Sequence, residues 1–327
     1  MDRERVRQLL SPDYAIQQIV KVHRGIAGHI RELPEASFKP YWLDTPHGKK
    51  QLAAVDLMAE QTFISAVTAK FGSHSVNVVG EESLRASVDL RQETRTSVLV
   101  DMIDGTDLLQ RNFSNWCSAI VVFDPKKKQI LGTFVAIPPA YPLRTGWLYF
   151  ATKDHRPQKK PLSISTAKRD PAIALLGPAV DRQLNDATVC SYGQKNANCL
   201  ALLALAEKVI LTDWLKSHVD QNETRRSQSQ EELKFRFYNF AGNPMMVRLA
   251  DGVVDAVFDL KGQALHDVVP GAFIALQAGA VMRDPVTGKP ITVEDLGRKL
   301  EQPSTERLRY VLAANDRLAE ELISLVR

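Results

Sequence analysis

Apolar positions set the first expectations. From Asp13 to Leu33 the chain reads DYAIQQIVKVHRGIAGHIREL, with Ile16, Ile19, Val20, Ile26 and Ile30 near helical spacing. This predicts an amphipathic helix over 13–33, stopped by Pro34. Residues 35–50 carry Pro40, Pro46 and Gly48 and read as a loop or hairpin. Leu52, Val55, Ala59, Phe63, Ile64 and Val67 mark a second helix over 50–71. Short apolar runs predict strands at 76–80, 97–101, 117–123, 130–137 and 146–151. Turn signals at Asp124-Pro125 and Pro138-Pro139 make the last three an antiparallel meander. The basic, proline-containing stretch 153–172 reads as a solvated loop. Beyond it the pattern predicts a strand at 173–176, a helix at 193–209, a polar excursion at 216–234, a strand at 235–240, a helix at 244–251, a strand at 253–258 and a helix at 267–278. There are no repeats and no long linker. The division is an N-terminal α/β layer over 1–171 and a C-terminal α/β layer over 172–327.

Composition narrows the function classes. The 327 residues are 44% hydrophobic and 24% charged, which is ordinary for a globular protein with a substantial core. A net charge of +4 is too small an excess to suggest a nucleic acid polymer as partner. No apolar run approaches the ~20 residues of a membrane span. Cys117, Cys190 and Cys199 have no metal-ligand spacing. Their odd number, with a charged N-terminus and no apolar leader, predicts reduced thiols and a cytoplasmic setting.

The chemistry concentrates in residues 97–107, SVLVDMIDGTD. An apolar run delivers Asp101 to a strand end, and Asp104, Gly105 and Thr106 follow at once. Two carboxylates so close repel each other, and burial would neutralise one unless a cation holds both ionised. Hard oxygen ligands suit Mg²⁺, which binds through a few carboxylates with phosphate and water completing its shell. The Gly-Thr step frees backbone N–H groups where an anion is stabilised. The expectation is a metal-and-phosphate site at a strand end.

Three segments, GEES at 80–83, DMIDGT at 101–106 and HDVVPG at 266–271 followed by QAGA at 277–280, resemble the signatures of the inositol monophosphatase family. That family lies in a lithium-sensitive, Mg²⁺-dependent phosphatase superfamily with fructose bisphosphatases and bisphosphate nucleotidases. The resemblance covers roughly residues 13–290. It implies an α/β layered sandwich (α-β-α-β-α) and a homodimer. It also implies two or three Mg²⁺ ions, with Mn²⁺ able to substitute, and a small phosphorylated metabolite as substrate. By resemblance, Glu81, Asp101, Asp104 and the Ile103 carbonyl hold a first metal, and Asp101, Asp104 and Asp267 a second. Asp56 matches a third metal position, the alternative being a surface helix residue. Glu81 with Thr106 would orient and deprotonate the attacking water. Gly105 and Thr106 would cradle phosphate, and Gly242 and Asn243 would line the substrate pocket. Glu82 would stand behind the ligands, and Lys49 and Lys50 would lie in a loop approaching the site.

Departures from the family pattern concern the leaving-group side. His266 stands where tryptophan is usual, either as a packing substitute or as a titrating neighbour of Asp267. Met102 replaces a proline. Leu260 stands where inositol-specific members carry a glutamate that holds sugar hydroxyls, and Ala241-Gly242-Asn243-Pro244 alters the pocket segment. The reading is a Mg²⁺-dependent phosphomonoesterase. A bisphosphate nucleotidase, a fructose bisphosphatase-like activity and a catalytically silent binding or regulatory member are the alternatives.

Overall fold

The computed structural model describes residues 3–32, 34–38, 40–45, 48–81, 89–111, 115–139, 145–162, 170–192, 196–219, 235–303 and 307–326. Helices α1 (Arg3–Leu9), α2 (Pro12–Glu32) and α3 (Pro34–Ser37) lead to the hairpin β1 (Pro40–Thr45) and β2 (Gly48–Ala53), then α4 (Ala54–Phe71). Next come β3 (Val76–Gly80), β4 (Thr96–Asp104), α5 (Thr106–Gln110), β5 (Cys117–Asp124), β6 (Gln129–Ile137), β7 (Gly146–Thr152), β8 (His155–Leu162) and β9 (Ile173–Ala174). The remainder is β10 (Thr188–Ser191), α6 (Asn196–Val219), β11 (Arg236–Tyr238), α7 (Asn243–Ala250), β12 (Ala256–Ala264), α8 (Leu265–Gln277), β13 (Val281–Arg283), α9 (Val293–Lys299), β14 (Arg307–Ala313) and α10 (Asp316–Val326).

Strands β3 to β9 form a seven-stranded sheet in sequence order, parallel only at β3/β4. A five-stranded sheet runs β11-β10-β12-β14-β13. Side-chain alternation then sorts the layers. On β4, Val98, Val100 and Met102 pack with Ile19, Val55 and Phe63 of α2 and α4. Leu99 faces the other way, into a cluster with Met245, Val268 and Phe273 of α7 and α8 and with Val257 and Leu312 of the second sheet. The far face of that sheet, with Val189, Phe258 and Val311, is covered by Leu202 and Leu205 of α6 and Leu318 and Leu322 of α10. The order is helices, sheet, helices, sheet, helices, which is the α-β-α-β-α sandwich.

Several boundaries differ from the pattern-based expectation. The stretch 153–172 is not all loop, because His155–Leu162 pairs antiparallel with β7. Lysines and two prolines hid this strand. It lies beside a two-residue edge strand and slips register opposite Phe150/Thr152, which is where a sheet tolerates proline. The expected helix start at 50 is too early, since 48–53 belongs to β2. Helix α6 runs on to Val219, and 220–234 lies outside the described residues. The chain passes from one sheet to the other between β9, whose Ile173–Ala174 still pairs with β8, and β10 at Thr188. Among the described residues, no helix is long and apolar enough to cross a membrane.

Candidate metal centre

A regular strand would point Asp101 and Asp104 to opposite faces, because side chains alternate. The β4/β5 register slips between them: Asp101 pairs with Ala119, but Asp104 pairs with Cys117. The extra residue on β4 is a bulge, and it turns both aspartates the same way. Met102 and Ile103 instead both enter the apolar cluster beneath α2 and α4. The Ile103 N–H donates to Asp101 Oδ1 at 3.0 Å, and the Ser118 hydroxyl donates to the Met102 carbonyl at 2.7 Å. That hydroxyl's proton is thus committed, so His23 Nε2, at 2.9 Å, carries the hydrogen it donates to Ser118 Oγ. Burial lowers the His23 pKa to about 4, which keeps the ring neutral in this role.

Gly105 follows at φ +102°, a conformation that favours glycine, and α5 begins at Thr106. The Thr106 hydroxyl lies 2.9 Å from Asp56 Oδ1 and 3.2 Å from the Ile103 carbonyl. Asp56 Oδ2 accepts the Ala53 N–H at 3.3 Å. Asp56 is therefore no surface residue: it is buried at the start of α4 and accepts the Thr106 hydroxyl. Glu81 extends the β3/β4 pairing, its N–H donating to the Val100 carbonyl at 3.0 Å. A Cβ on Gly80 would lie 1.8 Å from the carboxyl carbon of Glu60, so the glycine of GEES makes room for a buried acid one turn beyond Asp56.

The third segment approaches on α8. Pro270 has no N–H, so the His266 carbonyl lacks its intrahelical donor. Asn243, fully buried at the start of α7, fills that gap. Its Nδ2 donates to the His266 carbonyl at 2.9 Å and to Asp104 Oδ2 at 2.9 Å, while its Oδ1 accepts the Gly271 N–H at 2.8 Å. Sequence placed Asn243 against substrate. Instead its amide joins the proline-broken helix to Asp104, so it acts by holding that carboxylate. Gly271 permits the approach, since a Cβ there would stand 2.8 Å from Met246 Cβ. Gly242, at φ +72°, does the same beside Asp104: a Cβ would lie 3.4 Å from Asp104 Oδ2 and 3.2 Å from the Tyr192 hydroxyl.

These elements bring Asp101, Asp104 and Asp267 together, with carboxylate oxygens all within 4.8 Å of one another. Glu81, His266 and Asp267 form an overlapping group by the same measure. Burial first, then the neighbouring acids, push Asp101 well above the ordinary carboxylate range. Burial and Asp267 raise Asp104 to about 8, against the opposing hydrogen bond from Asn243. Like charges packed this way need a compensating cation, and the donors are the hard oxygens that Mg²⁺ takes. The residues fit a divalent metal.

Sequence reasoning missed the tyrosine and the thiol at this site. Tyr192 lies just beyond β10, a strand with no pattern of its own strong enough to flag it. Its hydroxyl pKa is driven up by burial and by Asp104 and Asp267. Cys117 Sγ lies 3.7 Å from Asp104 Oδ2, and burial keeps it a thiol. Glu82, and the side chains of Lys49 and Lys50, fall outside the described residues.

Asn243→Leu should leave the Gly271 N–H and the His266 carbonyl unpaired, at about 1–3 kcal/mol for each buried group. It should also weaken Mg²⁺ binding on the order of tenfold, as loss of a ligand's hydrogen-bond partner does. Thermal melts and metal titration calorimetry check both. Unchanged Mg²⁺ affinity would remove Asn243 from the role of holding Asp104.

A model of the inositol monophosphatase family matches residues 19–327. No curated protein matches the sequence. Among solved structures, the Thermotoga maritima IMPase superposes with a TM-score of 0.61 at 14% identity, covering 96% of this chain and 95% of that one. A hypothetical protein from Pyrococcus horikoshii, described as having similarities to inositol-1 monophosphatase, gives 0.58 at 20% identity over 96% and 98%. A dual-specific IMPase/NADP phosphatase with D-inositol-1-phosphate bound gives 0.58 at 15% identity over 95% of each chain. With the family model spanning nearly the whole sequence and the same layered fold in these structures, the chain belongs to the inositol monophosphatase family.

Proposed function

We propose that this chain is a Mg²⁺-dependent phosphomonoesterase acting on a small phosphorylated metabolite. The observation that carries the reading is the bulge that turns buried Asp101 and Asp104 together toward Asp267. Asp101, Asp104, the Ile103 carbonyl, Glu81 and Asp267 would hold the ions. Bound there, the metal supplies Lewis acidity toward phosphate and water.

The chain's own groups do the rest. Glu81, its side chain about a quarter exposed, takes the proton of the attacking water. Thr106 orients that water, held by Asp56, which acts through the threonine hydroxyl. The Gly105 and Thr106 N–H groups donate to phosphate oxygens. Attack is direct, with no phosphorylated side chain, so positioning and charge compensation carry the catalysis.

The leaving-group side argues against inositol monophosphate as the best substrate. Leu260 packs into the apolar cluster under α6 and α10. Its neighbour Asp259 is fully buried and accepts from Asn198 Nδ2 and from the Lys261 and Gly262 N–H groups, so it is not placed to hold a sugar hydroxyl in its stead. Pro244 offers no N–H, and the Asn243 amide is committed to Asp104 and α8. A site lacking partners for hydroxyls discriminates poorly in favour of a cyclitol.

The test is phosphate release with Mg²⁺ from inositol monophosphate, fructose bisphosphate and adenosine bisphosphate. Release is expected from at least one, with inositol monophosphate not leading in kcat/KM. No release from any would support a silent binding member. A lead for inositol monophosphate of about tenfold, near 1.4 kcal/mol, would overturn the pocket reading alone.

A further inference from the structure

His266 opens α8 beside Asp267, and its side chain is 9% exposed. Its Nε2 lies 3.2 Å from Glu81 Oε1 and 3.2 Å from Asp267 Oδ1. A ring nitrogen bears at most one hydrogen, which Glu81 and Asp267 could share only as a three-centre bond with both arms long. The spacing also suits donors around one shared ion. Donors about 2.1 Å from a shared ion stand about 3.0 Å apart at octahedral angles and about 3.4 Å apart at tetrahedral angles. The two N···O separations fall between these values. The donor atoms come from separate elements, Glu81 from the end of β3 and His266 with Asp267 from the first turn of α8, so the fold itself converges them.

We propose that His266 is a metal ligand. With Glu81 and Asp267 it forms a mixed nitrogen–oxygen position that shares Asp267 with the all-oxygen group of Asp101 and Asp104. Imidazole favours transition ions such as Zn²⁺, while carboxylates alone favour Mg²⁺ and Mn²⁺. The two positions therefore differ in preference, and the histidine position takes a transition ion ahead of Mg²⁺. Asn243 supports this placement from the backbone side, since its amide holds the His266 carbonyl and Asp104 together.

The inference rests on the metal-site reading above, and its test reads the metal and not turnover. The protein is loaded with Mn²⁺ alone until both positions are filled and examined by pulsed electron paramagnetic resonance. Modulation from a directly bound imidazole nitrogen is expected in the wild type, changing to the ¹⁵N pattern with ¹⁵N-histidine and disappearing in His266→Phe. Competition should agree, with the Zn²⁺ over Mg²⁺ preference falling on the order of tenfold or more in His266→Phe. Should that variant fail to fold, the labelled wild-type spectrum decides alone. Mn²⁺ filling both positions without nitrogen coupling overturns the ligand assignment and leaves the phosphatase reading standing. No bound metal at all overturns both.

Discussion

Asp104→Asn should abolish turnover while raising the stability of the metal-free protein. The loss follows from removing charge from a carboxylate that faces both Asp101 and Asp267. We expect kcat to fall by on the order of 10³-fold or more, about 4 kcal/mol of transition-state stabilisation. The gain follows from the same charge. Asp104 is buried among acids that raise its pKa, so its ionised form opposes folding when no cation is bound. Asparagine fills the same volume, keeps an acceptor for Asn243 Nδ2 and carries no charge. A higher melting temperature at neutral pH with activity gone is the expected pair of results. A folded variant retaining more than about a tenth of wild-type rate would remove Asp104 from the metal centre.

The metal-free wild type should lose stability as pH rises. Asp104 has an ordinary value of 3.8 and a folded value of about 8. An acid with its folded pKa raised is bound to its proton more tightly in the native state, so the native state is favoured at low pH. That contribution is fully present below about pH 4, is lost as pH climbs, and levels off above about 8. Asp101 shifts the same way for the same reasons. Divalent metal must displace these protons, so the stabilisation it adds should grow across the same window. Melting curves at fixed ionic strength, with chelator and with saturating Mg²⁺, check both trends. A metal-free melting temperature that rises steadily from pH 4 to 8 would contradict the clustered-acid account.

Much of this was legible in the sequence because the first half of the chain is patterned strongly. Helices α2 and α4 and strands β3 to β7 announce themselves through apolar period and turn residues. Asp101 and Asp104 stand out because an apolar run stops at an acid. Other features needed three dimensions. The DMID spacing does not reveal a bulge; that depends on pairing with Ala119 and Cys117 across the ladder. Strand β8 was masked by lysines and prolines tolerated near a sheet edge. Asn243 looked like a pocket residue because nothing in its neighbourhood reveals that Pro270, on another helix, leaves a carbonyl for it to satisfy. For Asp56 the sequence left a third metal position and a helix surface residue open, and only its burial beside the Thr106 hydroxyl removes the second. His266 was readable as an oddity, but its distance to Glu81 links two motifs far apart in the chain.

If this acid cluster works as a metal-charged phosphatase centre, removing the metal must silence it. The purified chain is stripped with chelator, then Mg²⁺ is returned in buffered steps while phosphate release is followed on the best substrate of the panel. No release is expected in chelator, with saturable recovery on return of Mg²⁺ or Mn²⁺ and no recovery in Asp104→Asn. Full activity in excess chelator would mean that the acid cluster is not a metal-dependent phosphatase centre.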